Sequence, residues 1–148
     1  MADLAALASQ SADLATDLNA LGDRCDHEKT RSEIADIAGE TLRLSTTIWR
    51  LHEAVDGDGE GNTYTAVFTE DLDEIASELK LVFDEIDECC REMQKADTSG
   101  PVPWFFKKGR VATLQKHLTA LKSTLVVMRT VLYHGKDYGI QRCVHVYS

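Results

Sequence analysis

The residues best suited to metal chemistry lie in an acidic, glycine-rich segment. It reads Asp56-Gly57-Asp58-Gly59-Glu60-Gly61, which places oxygen ligands at positions 1, 3 and 5 and glycine at position 6 of an EF-hand calcium loop. The twelfth position is Val67, where an EF-hand has a bidentate glutamate. The pattern therefore favours a flexible acidic turn, and we expect no calcium site.

Two Cys-x-His pairs could in principle share a zinc ion. Cys25-Asp26-His27 and Cys143-Val144-His145 each combine a thiol with an imidazole. A single intervening residue is shorter than the usual gap between paired zinc ligands, so we expect no metal here either. The adjacent Cys89 and Cys90 point about 100° apart on a helix, which predicts one thiol in the core and the other half-exposed.

No set of residues has the spacing of a catalytic site. His52, His117 and His134 fall on different predicted helices or turns, so no Ser-His-Asp or Cys-His arrangement can be argued from spacing. The chain lacks the Glu-x-x-His motif of di-iron helical bundles, and its glycine-rich segment is too acidic to hold phosphate. We expect a protein that is not an enzyme, with no cofactor and no small-molecule substrate.

One segment concentrates aromatic and basic side chains in an otherwise acidic chain. The candidate contact residues for a partner or a membrane are Trp104, Phe105, Phe106, Lys107, Lys108 and Arg110. The aromatic rings either plug the end of a helical bundle or form a contact site. The cations lie where the dipole of the following helix disfavours positive charge. We therefore expect them to pair either with an acidic group of a neighbouring helix or with an external anion.

Apolar residues recur at alternating spacings of three and four in four separate runs. Each run places one apolar stripe on one side of a helix, and no helix can bury such a stripe alone. The predicted helices span about 2–22, 30–55, 65–97 and 107–134. We therefore predict an all-α protein, an antiparallel up-down-up-down four-helix bundle over 1–136 with a short non-helical C-terminal extension at 137–148.

Local sequence signals predict where the helices end and which helix is held least strongly. Thr30 and Glu33 have the spacing of a capping box that would begin the second helix. Gly135 follows the fourth run where a C-terminal glycine belongs. The first helix is rich in alanine and has the smallest apolar surface, so we expect it to be either the most weakly held helix or the one that needs a partner.

Charge divides the chain into two parts. The formal net charge is -9, yet all but one of the 25 acidic residues precede Trp104, and half of the 16 basic residues follow from there. A basic last helix packed on acidic neighbours is one interpretation, and a basic face offered to an acidic partner is the other. The acidity disfavours nucleic acid as a partner.

The N-terminus does not resemble a secretory signal. Acidic residues stand where a signal peptide has its basic region, and the chain contains no uninterrupted apolar run long enough to span a bilayer. The four cysteines have no disulfide-framework spacing. We expect free thiols and a cytoplasmic location.

The second half of the chain resembles a known group of domains. FTEDLDEIASELKLVFDEIDECC, followed by PWFFKKGRVATLQKHLTALKSTLVVMRTVLYHGK, resembles the HeLo-like helical domains at the N-termini of fungal STAND signalling proteins, over residues 66–136. The resemblance implies a helical signalling or oligomerisation module of a larger protein. Membrane-active members have an apolar N-terminal segment, whereas this chain has Asp3, Asp13 and Asp17 there.

Two functions are compatible with these patterns. The leading hypothesis is a non-catalytic interaction domain that recruits a protein partner or another copy of itself. The alternative is a peripheral membrane-binding module, which would insert the aromatic rings of the 104–106 segment among lipid head groups and bind anionic lipid through the neighbouring cations.

Overall fold

Four helices make up the described part of the protein. The structure is a computed structural model that describes residues 2–56, 66–95 and 110–146, with side chains described only for 112–132 of the last range. The helices are α1 (Leu4–Asp23), α2 (Glu28–Asp56), α3 (Ala66–Lys95) and α4 (Arg110–Val146). The prediction of an all-α four-helix bundle is confirmed.

Contacts between α1 and its neighbours define their directions. Ser11 lies opposite Thr41, and the hydroxyl of Ser45 reaches back to the carbonyl of Ala8, so α2 runs antiparallel to α1. The Ala2 amide donates to Asp73 and the Gln10 side chain donates to Asp84, so α3 runs parallel to α1.

The direction of α4 follows from its contacts at two different heights along the bundle axis. Residues 124–131 of α4 line a groove with the first turns of α3, whereas Thr119 and Lys122 contact Glu40 in the middle of α2. Thus α4 runs parallel to α2 and antiparallel to α3, and the directions alternate as predicted. The closest neighbours are α1 with α2, α2 with α4, and α1 with α3. Consecutive helices α2 and α3 therefore lie on a diagonal of the bundle.

One hydrophobic core runs through the bundle. Each helix contributes residues spaced by three and four, as the sequence pattern predicts. The largest fully buried side chains are Phe83, Leu18, Ile34, Ile37, Leu44, Ile48, Leu51, Leu72, Leu79, Ile86 and Leu118.

Small residues bring α1 and α2 close together. Ala8 and Ser11 on α1 are buried against α2. The Ser11 hydroxyl donates to the Thr41 carbonyl oxygen at 2.7 Å, and the Ser45 hydroxyl donates to the Ala8 carbonyl oxygen at 2.8 Å. Short side chains permit a close backbone approach that the count of apolar atoms does not reveal, and the expectation that α1 is the most weakly held helix stays a prediction.

The ends of two helices differ from the prediction. Helix α2 begins at Glu28, and His27 precedes it: the Thr30 amide donates to His27 Nδ1 at 3.4 Å, so imidazole occupies the place expected for a threonine cap. Helix α4 continues to Val146, and the predicted non-helical extension is wrong. A glycine inside a helix costs only about 1 kcal/mol relative to alanine, so Gly135 does not end α4.

A polar link joins α2 to α4. Glu40 accepts hydrogen bonds from Arg43 of its own helix and forms an ion pair with Lys122 of α4 at 3.1 Å. Burial raises the pKa of Glu40, but the hydrogen bonds and charges of Arg43 and Lys122 outweigh it and hold that pKa below the ordinary value of 4.5. The stabilisation from this link is present at neutral pH and is lost as the pH falls through the lowered pKa.

The close α1–α2 packing can be tested by enlarging one small residue. We expect Ala8→Leu to lower the free energy of unfolding by about 1 to 3 kcal/mol, because the added methyl groups must push α2 away. The matched control is Ala20→Leu, at an exposed position of the same helix. Urea unfolding followed by circular dichroism measures both, and equal stability of the two variants would contradict the packing.

Candidate functional site

The aromatic-basic segment lies mostly outside the described residues. Trp104, Phe105, Phe106, Lys107 and Lys108 precede the described part of α4, and Arg110 is its first residue, with a side chain outside the described set. The choice between a plug and a contact site stays a prediction.

The candidate metal ligands do not converge where they are described. Asp56 ends α2 and lies 3.4 Å from the imidazole of His52, whereas 57–61 of the acidic segment are outside the described residues. The side chains of Cys143 and His145 are also outside them. Within the described ranges, no three His, Cys, Asp or Glu side chains lie close enough to hold a metal ion.

The thiols of α3 belong to the core. Cys89 and Cys90 are each 3% exposed, so the predicted half-exposed thiol is wrong. Burial, assisted by nearby carboxylates, raises the pKa of Cys89 to about 12 and that of Cys90 to about 11. Thiols with such pKa values are protonated at neutral pH and are poor nucleophiles and poor metal ligands.

The acidic runs of α3 form a solvated surface. Glu70, Asp71, Glu74, Asp84 and Glu88 are exposed. On the side facing α1, these carboxylates are engaged: Asp84, for example, accepts from Lys80 at 2.9 Å.

A groove separates α3 from α4. It has a volume of about 370 Å³ and is lined by Phe68, Asp71, Glu74 and Ile75 of α3 and by Thr124, Val127, Met128 and Val131 of α4. Over the described residues, the α3 and α4 backbones stay farther apart than those of the three closely packed helix pairs. The groove arises because α3 is held by α1 and α4 is held by α2, so that α3 and α4 are neighbours without close backbone contact.

Apolar side chains on both walls of this groove reach solvent. Val127 is 60% exposed and Val131 is 57% exposed, although each lies beside buried residues of the same helix. Phe68 and Ile75 on the opposite wall are only partly buried against the core. Exposed apolar groups clustered in a concave surface are typical of a binding site rather than of an ordinary surface.

The outer face of α4 is uncharged over its central turns. The exposed residues between 119 and 131 are Thr119, Ala120, Ser123, Thr124, Val126, Val127, Thr130 and Val131. The two cations in this range, Lys122 and Arg129, are partly buried instead. A surface helix usually directs charged residues to solvent, so this composition favours a helix with a second covered face.

Two other surfaces also expose apolar side chains, but polar contacts cross or cover them. A larger groove of about 670 Å³ lies between α1 and α3, but the Ala2–Asp73 and Gln10–Asp84 hydrogen bonds cross between its walls. Its large exposed apolar residue is Leu81, at the outer edge. On α2, the exposed Trp49 donates its indole N–H to Glu53 at 2.9 Å. The α3–α4 groove is therefore the candidate functional site.

This groove was not predicted from the sequence. A signal was present, because Ala120, Thr124, Val127 and Val131 form a second stripe at spacings of four and three beside the core stripe of α4. The other wall could not be found from the sequence, since it depends on how far α3 lies from α4.

Comparisons with known proteins do not assign this chain to a family. No family model, curated protein or solved structure matches the chain. Over the residues that the structure describes, none of the helices is both long enough and apolar enough to cross a membrane.

The buried thiols make a chemical test of the packing of α3. In a Cys143→Ser variant of the full chain, we expect brief alkylation at neutral pH to modify the partly exposed Cys25 and to spare Cys89 and Cys90, since burial and raised pKa values protect both. Mass spectrometry of the digested protein assigns each site, and alkylation in urea shows that all three can react. Modification of Cys89 as fast as Cys25 would contradict its placement.

Proposed function

We propose that this chain is a non-catalytic protein-interaction or oligomerisation domain and that it binds its partner through the α3–α4 groove. The main support for the proposal is the exposure of Val127 and Val131 beside the apolar floor of the groove, which is formed by Phe68, Ile75 and Met128. Covering these groups removes apolar surface from water, which is the main driving force of most protein association.

The chemistry of the described side chains supports a role without catalysis. The ionisable groups with displaced pKa values are thiols (Cys25, Cys89 and Cys90) and members of ion pairs (Glu40, Asp84 and Arg91). Cys25 and Glu40 lie away from α3, and on α3 the two thiols are buried in the core whereas Asp84 and Arg91 are exposed. A catalytic site normally brings such groups together in one cleft. The two carboxylates in the groove, Asp71 and Glu74, are exposed, which suits recognition by charge.

The sequence pattern of the second half agrees with this role. The resemblance to HeLo-like domains covers both walls of the groove, since it extends over 66–136. It supports a signalling module of a larger fungal protein. The free thiols Cys25, Cys89 and Cys90 suit the cytoplasmic location that forms part of the proposal.

Site-specific photo-crosslinking tests the proposed function. With a photoreactive phenylalanine analogue at Val127 of the full chain in the cells that express it, we expect a discrete crosslinked protein species. The matched control carries the analogue at Asp36, an exposed residue of α2, and should give no discrete species. The same experiment on the purified chain separates self-association from binding of another protein. If the yield at Val127 does not exceed that at Asp36 in either setting, the proposal is wrong.

A further inference from the structure

We infer that the α3–α4 groove receives an amphipathic α-helix of a protein partner and that lysine or arginine residues along one edge of that helix face α3. The inference rests on the proposed function and adds the shape and charge of the partner to it.

The dimensions of the groove suit a helix. On α3 the lining runs from Phe68 to Ile75, and on α4 from Thr124 to Val131. Each wall is two helical turns long, or about 10 Å at the rise of an α-helix. Apolar anchors spaced by three, four and seven residues on a partner helix would fit a groove of this length.

An extended peptide has no comparable site. Strand addition requires a sheet edge with unpaired backbone groups. The described ranges consist of the four helices, the residues just before α1 and the 24–27 connection between α1 and α2, and no strand occurs in them. Side-chain packing along the apolar floor is therefore the available mode of binding, and a helix supplies it without leaving its own backbone groups unsatisfied.

The two rims of the groove differ in charge. The α3 rim has the exposed carboxylates of Asp71 and Glu74, and no described cation lies within ion-pair distance of either one. Two more exposed carboxylates belong to this stretch of α3: Glu70 directly precedes Asp71, and Glu78 lies about one turn after Glu74. The α4 rim, formed by Thr124, Val127 and Val131, is neutral.

This asymmetry selects both the partner and its orientation. Basic residues on one edge of a helix would pair with the α3 rim, whereas an acidic helix would be repelled there. A symmetric pairing of two copies through their α4 faces matches less well, because the exposed apolar face of α4 has no cation between residues 119 and 131 other than the partly buried Lys122 and Arg129. An anionic membrane surface would meet the same repulsion as an acidic helix.

Two designed peptides provide the probe. Each is an 18-residue helix with leucine at positions spaced by three and four, glutamine on the outer face, and either lysine or glutamate along one edge. Binding to the full chain is measured by calorimetry, and the site is located by NMR chemical-shift changes. We expect the lysine peptide to perturb Phe68, Ile75, Val127 and Val131, and to bind more tightly than the glutamate peptide.

Charge reversal separates the groove from general electrostatic attraction. We expect Asp71→Lys with Glu74→Lys to weaken binding of the lysine peptide by about tenfold and to strengthen binding of the glutamate peptide. The matched control, Glu88→Lys with Glu92→Lys, makes the same change in net charge at exposed positions of α3 outside the groove. It should alter the affinity much less. Thermal melting by circular dichroism verifies that both double variants fold.

Four results would overturn the inference. Equal loss of affinity in the two double variants shows attraction by net charge alone. Shift changes confined to the α1–α3 groove place the peptide elsewhere. Light scattering that finds a dimer of the free chain, broken by Val127→Asp, shows that a second copy fills the groove. If photo-crosslinking at Val127 succeeds while the lysine peptide does not bind, the proposed function stands and the inferred partner chemistry is wrong.

Discussion

The close approach of α1 and α2 is the constraint on which the rest of the structure depends. Small side chains on α1 allow the two backbones to approach, and hydroxyl groups of Ser11 and Ser45 bond to carbonyl oxygens across the interface. A buried hydroxyl without a partner is costly, so these bonds specify one register as well as one distance. The pair thereby acts as the frame onto which α3 and α4 pack.

The frame explains why the opposite side of the bundle is open. Helix α3 is held against α1 by hydrogen bonds with Ala2 and Gln10, and α4 is held against α2 by the Glu40–Lys122 ion pair. Each outer helix is thus positioned by its own partner, and the distance between α3 and α4 is a consequence of both placements. The partly covered Phe68 and Ile75 and the exposed Val127 and Val131 result from this arrangement. The groove therefore follows from how the four helices pack.

The sequence predicted the positions of the helices more accurately than the way in which they pack against one another. Regular spacing of leucine and isoleucine located the core faces, because burial of one stripe per helix is a local property of the pattern. The same pattern did not reveal how closely α1 packs on α2, since alanine and serine contribute little apolar area but permit close packing. It also missed the groove, because the spacing of Val127 and Val131 reveals an apolar face and not what lies across from it. The burial of both Cys89 and Cys90 likewise depends on helices that are distant in sequence.

Native-state hydrogen exchange of the full chain tests most directly whether the α1–α2 pair is the frame. The account predicts that amides in the middle of α1, from Ser11 to Leu18, exchange with the same opening free energy as those from Leu44 to Leu51 of α2, and that both report global unfolding. The contradicting result is exchange of the α1 amides through a smaller opening that leaves α2 protected, because α1 would then detach from a bundle that remains folded without it.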